Sequence, residues 1–262
     1  MKDRLKSAAK GALASAGMLK WAQEQNYRLH SMLPNTSHPR VQVNRVFKRF
    51  IRSGDLVFDV GANHGELTQT FLEVAPNVRI VSIDPLPHCI ADLRERFAGR
   101  PVTVEWCAVG DEPGRLPVFE CDDDRMTTLD PIYTTDSRFA GRHQWHEAGA
   151  VDVTTLDALI EKHGVPGYCK IDTEGFEPRV LAGLSTPIRC VSVEFHSEGV
   201  DRALACIDRL CELGNYKFNA VFGQPTALAF SHMLPADEFR RRWRQRIDRD
   251  PQAWGDIFAN LL

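Results

Sequence analysis

The sequence predicts a doubly wound α/β domain: a mainly parallel, seven-stranded sheet with an antiparallel pair of strands at one edge and a helical arm before the first strand. Beyond Gly54, short β-rich runs alternate with amphipathic helical segments, which is typical of βα units in a parallel sheet. Around Gly223, two strand-like runs are separated by too few residues for a helical crossover, which predicts an antiparallel pair. The chain has 262 residues, 43% of them hydrophobic, and can therefore bury one large core.

The first fifty residues are predicted to form a basic arm. They contain ten Lys or Arg against Asp3 and Glu24, although the whole chain has a formal net charge of −3. Residues 4–29 lack proline and favour a helix, and the polar SMLPNTSHP after them is typical of a linker. A second helix is indicated by apolar residues with helical spacing, and we expect it to pack at the edge of the sheet; these residues are Val43, Val46, Phe47, Phe50 and Ile51.

The predicted strands follow this arm. The parallel strands are LVFDV, VRIVSID, VTVEWCAV, YCKID and CVSVEF, and the antiparallel pair is YKFNAVF and TALAF, joined by the turn-forming Gly223, Gln224 and Pro225. We therefore divide the chain into a basic helical arm with its packing helix (1–53), the α/β domain (54–232) and a basic helical extension (233–262).

The turn after the first strand is a candidate ligand site. LVFDV runs directly into GANHGELTQTF and places Asp59, Gly61, Asn63 and Gly65 between a buried strand and a helix, where doubly wound sheets bind ligands. The glycines permit close approach of the backbone, and free amides at the helix start favour an anionic group. The turn lacks the G-x-G-x-x-G pattern of dinucleotide sites, which disfavours NAD or FAD. Packing alone can also explain glycines in such a turn.

The second strand ends in Asp84, where an acidic side chain can accept hydrogen bonds from both hydroxyls of a ribose. A terminal Asp can instead merely cap the following helix. Because both features occur at the same edge of the sheet, we favour ligand binding.

With these residues in place, the sequence resembles the FkbM-type family of methyltransferases. The matching segments are FDVGANHGELT, IDP, VDVTTLDAL, YCKIDTEGFEPRVLAG and VSVEFH, in that order. The resemblance implies a Rossmann-like class I methyltransferase fold, S-adenosylmethionine as methyl donor, and O-methylation of a hydroxyl on a sugar, glycan or secondary metabolite. Ala108 and Thr127 are further candidates for the donor site. In one departure, Asp84 precedes Pro85 where the family often has Glu.

Four residues are candidates for catalysis. Asp172 ends the fourth strand and Glu174 follows in the loop, while Glu194 and His196 alternate onto one face at the end of the fifth. A hydroxyl acceptor must lose its proton, so His196 or Asp172 could be the base. Structural alternatives remain: Lys170 could pair with either acid, and a histidine at the end of a strand is often only hydrogen-bonded.

We expect no metal. Asp172, Glu174 and Glu194 could hold magnesium through hard oxygen ligands, but a site without metal is the simpler interpretation. The run Asp122, Asp123 and Asp124 is interpreted as a solvated loop. The segment TTDSRFAGRHQWHEAGA is either a lid over the acceptor or a disordered surface loop.

The expected partner is a saccharide or small-molecule acceptor. KIDTEG stands where amino-directed nucleic-acid methyltransferases carry (D/N)PP(Y/F), which argues against nucleic acid. A lipid, peptide or polyketide acceptor, or a non-catalytic donor-binding protein, are the alternatives.

The chain contains no apolar run of about eighteen residues and no CxxC pair among its seven cysteines, so we expect a cytoplasmic protein. The basic arm and FRRRWRQRIDR could contact the inner membrane surface, although a solvated helix is favoured. The oligomeric state is not predicted.

Overall fold

The computed structural model describes residues 39–123 and 126–262. The predicted helix over 4–29, the linker after it up to His38, and Asp124 lie outside the described residues. The elements are, in chain order, α1 (Pro39–Phe47), β1 (Leu56–Val60), α2 (Glu66–Val74), β2 (Arg79–Asp84), α3 (Pro87–Arg96), β3 (Val102–Trp106), β4 (Ala108–Val109), β5 (Gly114–Glu120), α4 (Tyr133–Asp136), β6 (His146–Thr154), α5 (Leu156–His163), β7 (Tyr168–Ile171), α6 (Glu177–Ala182), β8 (Cys190–His196), a 3₁₀ turn (Ser197–Gly199), α7 (Val200–Leu213), β9 (Tyr216–Phe222), β10 (Leu234–Pro235), α8 (Ala236–Ile247) and β11 (Trp254–Leu261).

The main sheet confirms the doubly wound α/β prediction. Among the described residues it has eight strands in the order β10-β9-β11-β8-β7-β1-β2-β3, one more than predicted because of the two-residue β10. Strands β3, β2, β1, β7 and β8 are parallel. Apolar cores cover both faces, with α1 and α2 on one and α5 to α8 on the other. The chain winds away from β1 on one side and from β7 on the other, so their carboxyl ends form the crevice where such sheets bind ligands.

Of the two strands predicted to form the antiparallel pair, one is confirmed and the other is wrong. YKFNAVF forms β9, but TALAF is not a strand, and the main antiparallel partner of β9 is β11. Strand β11 also pairs with β8, so it lies inside the sheet. Residues 233–262, predicted as a helical extension, contain α8 and β11. The buried run Ile257, Phe258 and Ala259, however, completes the core of the sheet, because an interior strand is covered on both faces.

Helix α1 does not pack at the sheet edge as predicted. Phe47 lies 5.2 Å from Phe71, 6.1 Å from Tyr168 and 6.0 Å from Phe258, measured between ring centroids. Tyr168 and Phe258 belong to interior strands, so α1 covers the middle of one sheet face. The apolar face of α1 therefore packs against the middle of the sheet and not against its edge strand.

A small second sheet was not predicted. It has the order β4-β6-β5, with β5 antiparallel to β6 and β4 parallel to it. The predicted third strand VTVEWCAV is accordingly divided between β3 in the main sheet and β4 in the small one. Strands β5 and β6 are largely exposed, so they lack the regular apolar alternation that identifies a strand in a sequence.

Within the described part of the chain, no helix has both the length and the apolar character needed to cross a bilayer.

Candidate active site

A cavity of about 490 Å³, here called the donor cavity, lies at the carboxyl ends of β1, β2 and β7. Seven of the predicted site residues line it: Gly61, Asn63, Asp84, Ala108, Thr127, Asp172 and Glu174. The topology explains why residues so far apart in sequence meet, because the parallel strands all end at this edge.

Asp84 is held in a fixed orientation at the end of β2. Its Oδ2 accepts a hydrogen bond from the backbone N–H of Asn63 at 2.8 Å, and its Oδ1 accepts one from Leu86 at 2.9 Å. Burial raises the pKa of Asp84, although these two backbone donors partly oppose the rise. A carboxylate oxygen can accept more than one hydrogen bond, so both oxygens can still bind a ligand hydroxyl.

Asp59 and Gly65 do not line the donor cavity, although the sequence grouped them with the donor site. Asp59 is 1% exposed and accepts a hydrogen bond from Thr68 Oγ1 at 2.5 Å, which ties β1 to α2. Gly65 has a φ of 80°, and a Cβ there would lie 2.5 Å from the ring of Phe97. Both residues shape the turn through packing and internal hydrogen bonds.

Gly61 permits the closest approach in the site. Its φ is 80°, and a Cβ at this position would lie 1.8 Å from the carbonyl oxygen of Asp172. Only glycine lets the ends of β1 and β7 meet in this way.

The four predicted catalytic residues lie together but line two adjacent cavities. Asp172 and Glu174 line the donor cavity, whereas Glu194 and His196 line a second cavity of about 370 Å³. His196 Nε2 is 3.6 Å from Glu194 Oε1, and the Glu194 and Asp172 carboxyl groups are hydrogen-bonded. The loop carrying Glu174 therefore separates the two cavities.

Lys170 is a member of this group that the sequence identified only as a possible ion-pair partner. It is 1% exposed, and its Nζ lies 3.1 Å from Asp172 Oδ2 and 2.5 Å from Asp256 Oδ1. Burial alone would lower the pKa of Lys170, but the charges of Asp172 and Asp256 raise it well above its usual value. A lysine inside a buried strand signals paired acids, because such a charge is almost never fully buried alone.

Electrostatics distinguish the carboxyl groups. Burial raises the pKa of Asp172, but the Lys170 charge and the hydrogen bond from Glu194 outweigh it, so the net shift is downward. Burial and the charge of Asp172 together raise the pKa values of Glu174 and Glu194 well above the ordinary range. Asp172 is therefore the ionised member, and the Glu194 carboxyl donates its proton to it.

His196 is a neutral imidazole at pH 7. Burial, together with the nearby Arg138 charge, lowers its pKa to about 4. It can accept a proton in this state, but its low basicity makes it a weaker general base than one with a pKa near the working pH.

The segment predicted to be either a lid or a surface loop contacts residues of the site. Tyr133, just before it, donates a hydrogen bond from its hydroxyl to Glu174 Oε2 and lies 3.4 Å from His196 Nδ1. Arg138 forms an ion pair with Glu198 at 2.7 Å and donates to the carbonyl oxygens of residues 252 and 253. The segment thus packs against residues that line the second cavity, and its end forms the start of β6. The sequence missed Tyr133 because nothing in its local pattern marks it.

Two groups of side chains in the described residues have atoms close enough to hold a metal ion. Glu174, Glu194 and His196 form one, and Cys121, Asp122 and His143 form the other. In the second group His143 Nδ1 already pairs with Asp122 Oδ1 at 2.6 Å.

The basic segment FRRRWRQRIDR packs against the domain. Trp243 is fully buried, with its ring 5.2 Å from that of Phe195. Arg242 and Arg246 lie over the rings of Phe230 and Phe222. The tryptophan is therefore a core residue of α8, which removes the main apolar group that a membrane-binding surface would use there.

Two comparisons of the sequence with known proteins identify its family. The family described as "Methyltransferase FkbM domain" matches residues 59–218. The 31-O-demethyl-FK506 methyltransferase FkbM of Streptomyces tacrolimicus is 34% identical over 185 residues, which cover 59% of this chain and 69% of that protein.

Solved structures with a similar fold share little sequence identity with this chain. The precorrin-6y C5,15-methyltransferase of Geobacter metallireducens GS-15 has a TM-score of 0.46 and 11% identity, covering 87% of this chain and 90% of that one. An O-methyltransferase of Bacillus cereus has a TM-score of 0.42 and 11% identity, covering 94% and 91%. The sequence matches decide the family: the chain belongs to the FkbM methyltransferases, and its methyl donor is S-adenosylmethionine.

Proposed function

We propose that this protein is an O-methyltransferase that methylates a hydroxyl of a sugar, glycan, or glycosylated or other secondary metabolite. The observation that carries the proposal is the ionised Asp172 carboxylate on the wall of the donor cavity. A hydroxyl must lose a proton when it is methylated, and a carboxylate beside the donor can receive it.

The residues that line the donor cavity suit the chemistry of the methyl donor. Asp84 offers two oriented carboxylate oxygens at the end of β2, suited to the ribose hydroxyls. Gly61 and Asn63 line the turn after β1, where the amino-acid part of the donor would lie. Ala108 and Thr127 complete the wall.

When bound, S-adenosylmethionine supplies an electrophilic methyl carbon on a positively charged sulfur. The acceptor oxygen forms the new C–O bond, the C–S bond breaks with its electron pair left on sulfur, and the hydroxyl proton passes to Asp172. Lys170 keeps Asp172 ionised before this step. His196 is the competing base, but it lines the second cavity, whereas Asp172 lines the donor cavity itself.

The side chains around the junction of the two cavities support an acceptor that carries hydroxyl groups. Glu174, Tyr133 and His196 present hydrogen-bonding atoms there, which suits an acceptor with several hydroxyls. The relative from Streptomyces tacrolimicus carries a name that describes methylation of an oxygen.

The test is to incubate the purified protein with S-adenosylmethionine and a panel of sugars, glycans and glycosylated metabolites. Release of S-adenosylhomocysteine and the product mass are measured, with lipid and peptide panels in parallel. Asp172→Asn is expected to abolish turnover while retaining donor binding, and Asp111→Asn, which alters an exposed pair with Arg179, is the matched control. Full activity in both Asp172→Asn and His196→Ala would refute this placement of the reaction.

A further inference from the structure

We propose that Glu174, Glu194 and His196 bind one divalent transition-metal ion at the junction of the donor cavity and the second cavity. This rests on the proposed function and deepens it, because the ion would hold the acceptor hydroxyl beside Asp172. The sequence alone led us to expect no metal.

The three ligand groups converge from two elements. Glu194 and His196 lie two residues apart on β8 and so share one face, and Glu174 comes from the loop after β7. Their ligand atoms all lie within 4.8 Å of one another. Ligands about 2.1 Å from a shared ion are at most ~4.2 Å apart, so small side-chain rotations complete the site.

His196 supplies the second observation, which points to a ligand independently of the acidic groups. Its side chain is only 11% exposed, and its Nε2 makes no hydrogen bond with any residue in 39–123 or 126–262. Nε2 is 3.6 Å from Glu194 Oε1, too long for a hydrogen bond. Two ligands at about 2.1 Å from one ion span this distance at an angle of roughly 120°.

The other imidazole nitrogen is arranged as in metal sites. His196 Nδ1 lies 3.4 Å from the hydroxyl of Tyr133, which also donates to Glu174. A hydrogen-bonding group beyond the ligand commonly orients a metal-binding imidazole in this way. Tyr133 would therefore fix two of the three ligands.

The charge balance of the junction also favours a cation. Four carboxyl groups lie together there, from Asp172, Glu174, Glu194 and Asp256. In the described part of the chain, Lys170 is the only Lys or Arg within 4.0 Å of any of them, and it contacts Asp172 and Asp256. Glu174 and Glu194 thus have no basic side chain as a partner, and an ion bound there would take the place of their protons.

The donor set indicates the class of metal. One imidazole nitrogen with carboxylate oxygens suits manganese, iron or zinc, whereas magnesium and calcium prefer oxygen ligands alone. Such an ion lowers the pKa of a bound hydroxyl and would favour loss of its proton to Asp172.

The test is titration of chelator-treated, full-length protein with Mn²⁺ and with Zn²⁺, followed by calorimetry and, for Mn²⁺, electron paramagnetic resonance. We expect one ion per chain. Glu194→Gln and His196→Ala are each expected to weaken binding at least about tenfold. His143→Ala is the matched control, because it removes the histidine of the other candidate group, and it should bind as the unaltered protein does.

Absence of saturable binding of either ion to the unaltered protein overturns the proposal. So does loss of binding in His143→Ala with retention in His196→Ala. Thermal unfolding identifies variants that do not fold, and Glu174→Gln then serves as the second variant. Because metal binding is measured without donor or acceptor, failure of this inference can be distinguished from failure of the proposed function. Methylation by protein that binds no metal rejects this inference alone. Metal binding with no methylated product from any acceptor panel counts only against the proposed function.

Discussion

Lys170 on β7 and Asp256 on β11 form a buried ion pair, with Nζ 2.5 Å from Oδ1. The same ammonium group lies 3.1 Å from Asp172. Strand β8 lies between β7 and β11 in the sheet, so Lys170 reaches across it. The last strand of the chain therefore supports the carboxylate on which the proposed reaction depends.

Lys170→Met is expected to lower the free energy of unfolding by about 3–5 kcal/mol, because it leaves buried carboxylates without their cation. Urea denaturation measures this change. Lys162→Met, which removes an exposed lysine paired with Glu105, is the control and should cost less than about 1 kcal/mol. Equal effects of the two substitutions would contradict a structural role for the buried pair.

Strands β1, β2, β7 and β8 could be predicted from the sequence because each is a short apolar run followed by polar or turn-forming residues. Asp172, Glu174, Glu194 and His196 could be grouped because parallel strands place their carboxyl ends at one edge. Asp256 could not be found in this way. Its strand follows a strongly basic helix, and its antiparallel insertion between β8 and β9 depends on packing that no local pattern shows.

Tyr133 and Arg138 illustrate a different limit. Both act through contacts with residues more than forty positions away, and the segment that carries them has only a four-residue helix of its own. From the sequence, this segment could be either a lid or a disordered loop. Side-chain contacts between residues so far apart in the chain cannot be predicted from periodicity.

Asp84→Asn is expected to weaken binding of S-adenosylhomocysteine roughly 10- to 100-fold. A hydrogen bond to a charged group contributes about 1.5–3 kcal/mol, and the substitution replaces one accepting oxygen by a donor. Titration calorimetry measures the affinity. Asp92→Asn, on the exposed side of α3, is the control; unchanged affinity in Asp84→Asn would remove this residue from the donor site.

Gly61→Ala is expected to destabilise the protein by about 2–5 kcal/mol and to abolish donor binding. The added Cβ would meet the Asp172 carbonyl oxygen, and the positive φ adds strain. Gly114→Ala is the control, because no atom lies within 4 Å of a Cβ there. Denaturation and calorimetry are measured for both. Wild-type behaviour of Gly61→Ala would show that β1 and β7 are not in contact at this point.

Arg138→Gln is expected to accelerate tryptic cleavage after the exposed Arg142 about tenfold. The substitution removes the ion pair with Glu198 and hydrogen bonds to two carbonyl oxygens, and a loss of about 1.4 kcal/mol changes the opening equilibrium tenfold. Cleavage at Arg142 is followed by mass spectrometry. Arg115→Gln, in an exposed pair with Asp152, should leave the rate unchanged. If Arg138→Gln also leaves it unchanged, Arg138 does not hold the segment closed.

Asp59 gives a prediction for the pH dependence of stability. Burial raises its pKa to about 6, although the hydrogen bond from Thr68 opposes the rise. Because the pKa in the folded state lies above that in the unfolded chain, the stabilisation from this group is complete below the unfolded value of about 3.8 and is lost as the pH rises through about 6. Ionised Asp59 is thus destabilising at neutral pH.

Asp59→Asn removes this dependence and keeps an oxygen that can accept the Thr68 hydrogen bond. Relative to the unaltered protein, the variant is expected to gain about 1–2 kcal/mol of unfolding free energy between about pH 5 and about pH 8. Urea denaturation across this range measures the difference, with Asp92→Asn as a surface control. A difference that stays constant with pH would mean that Asp59 is ionised in the folded protein throughout the range, and that Thr68 and Lys170 together outweigh its burial.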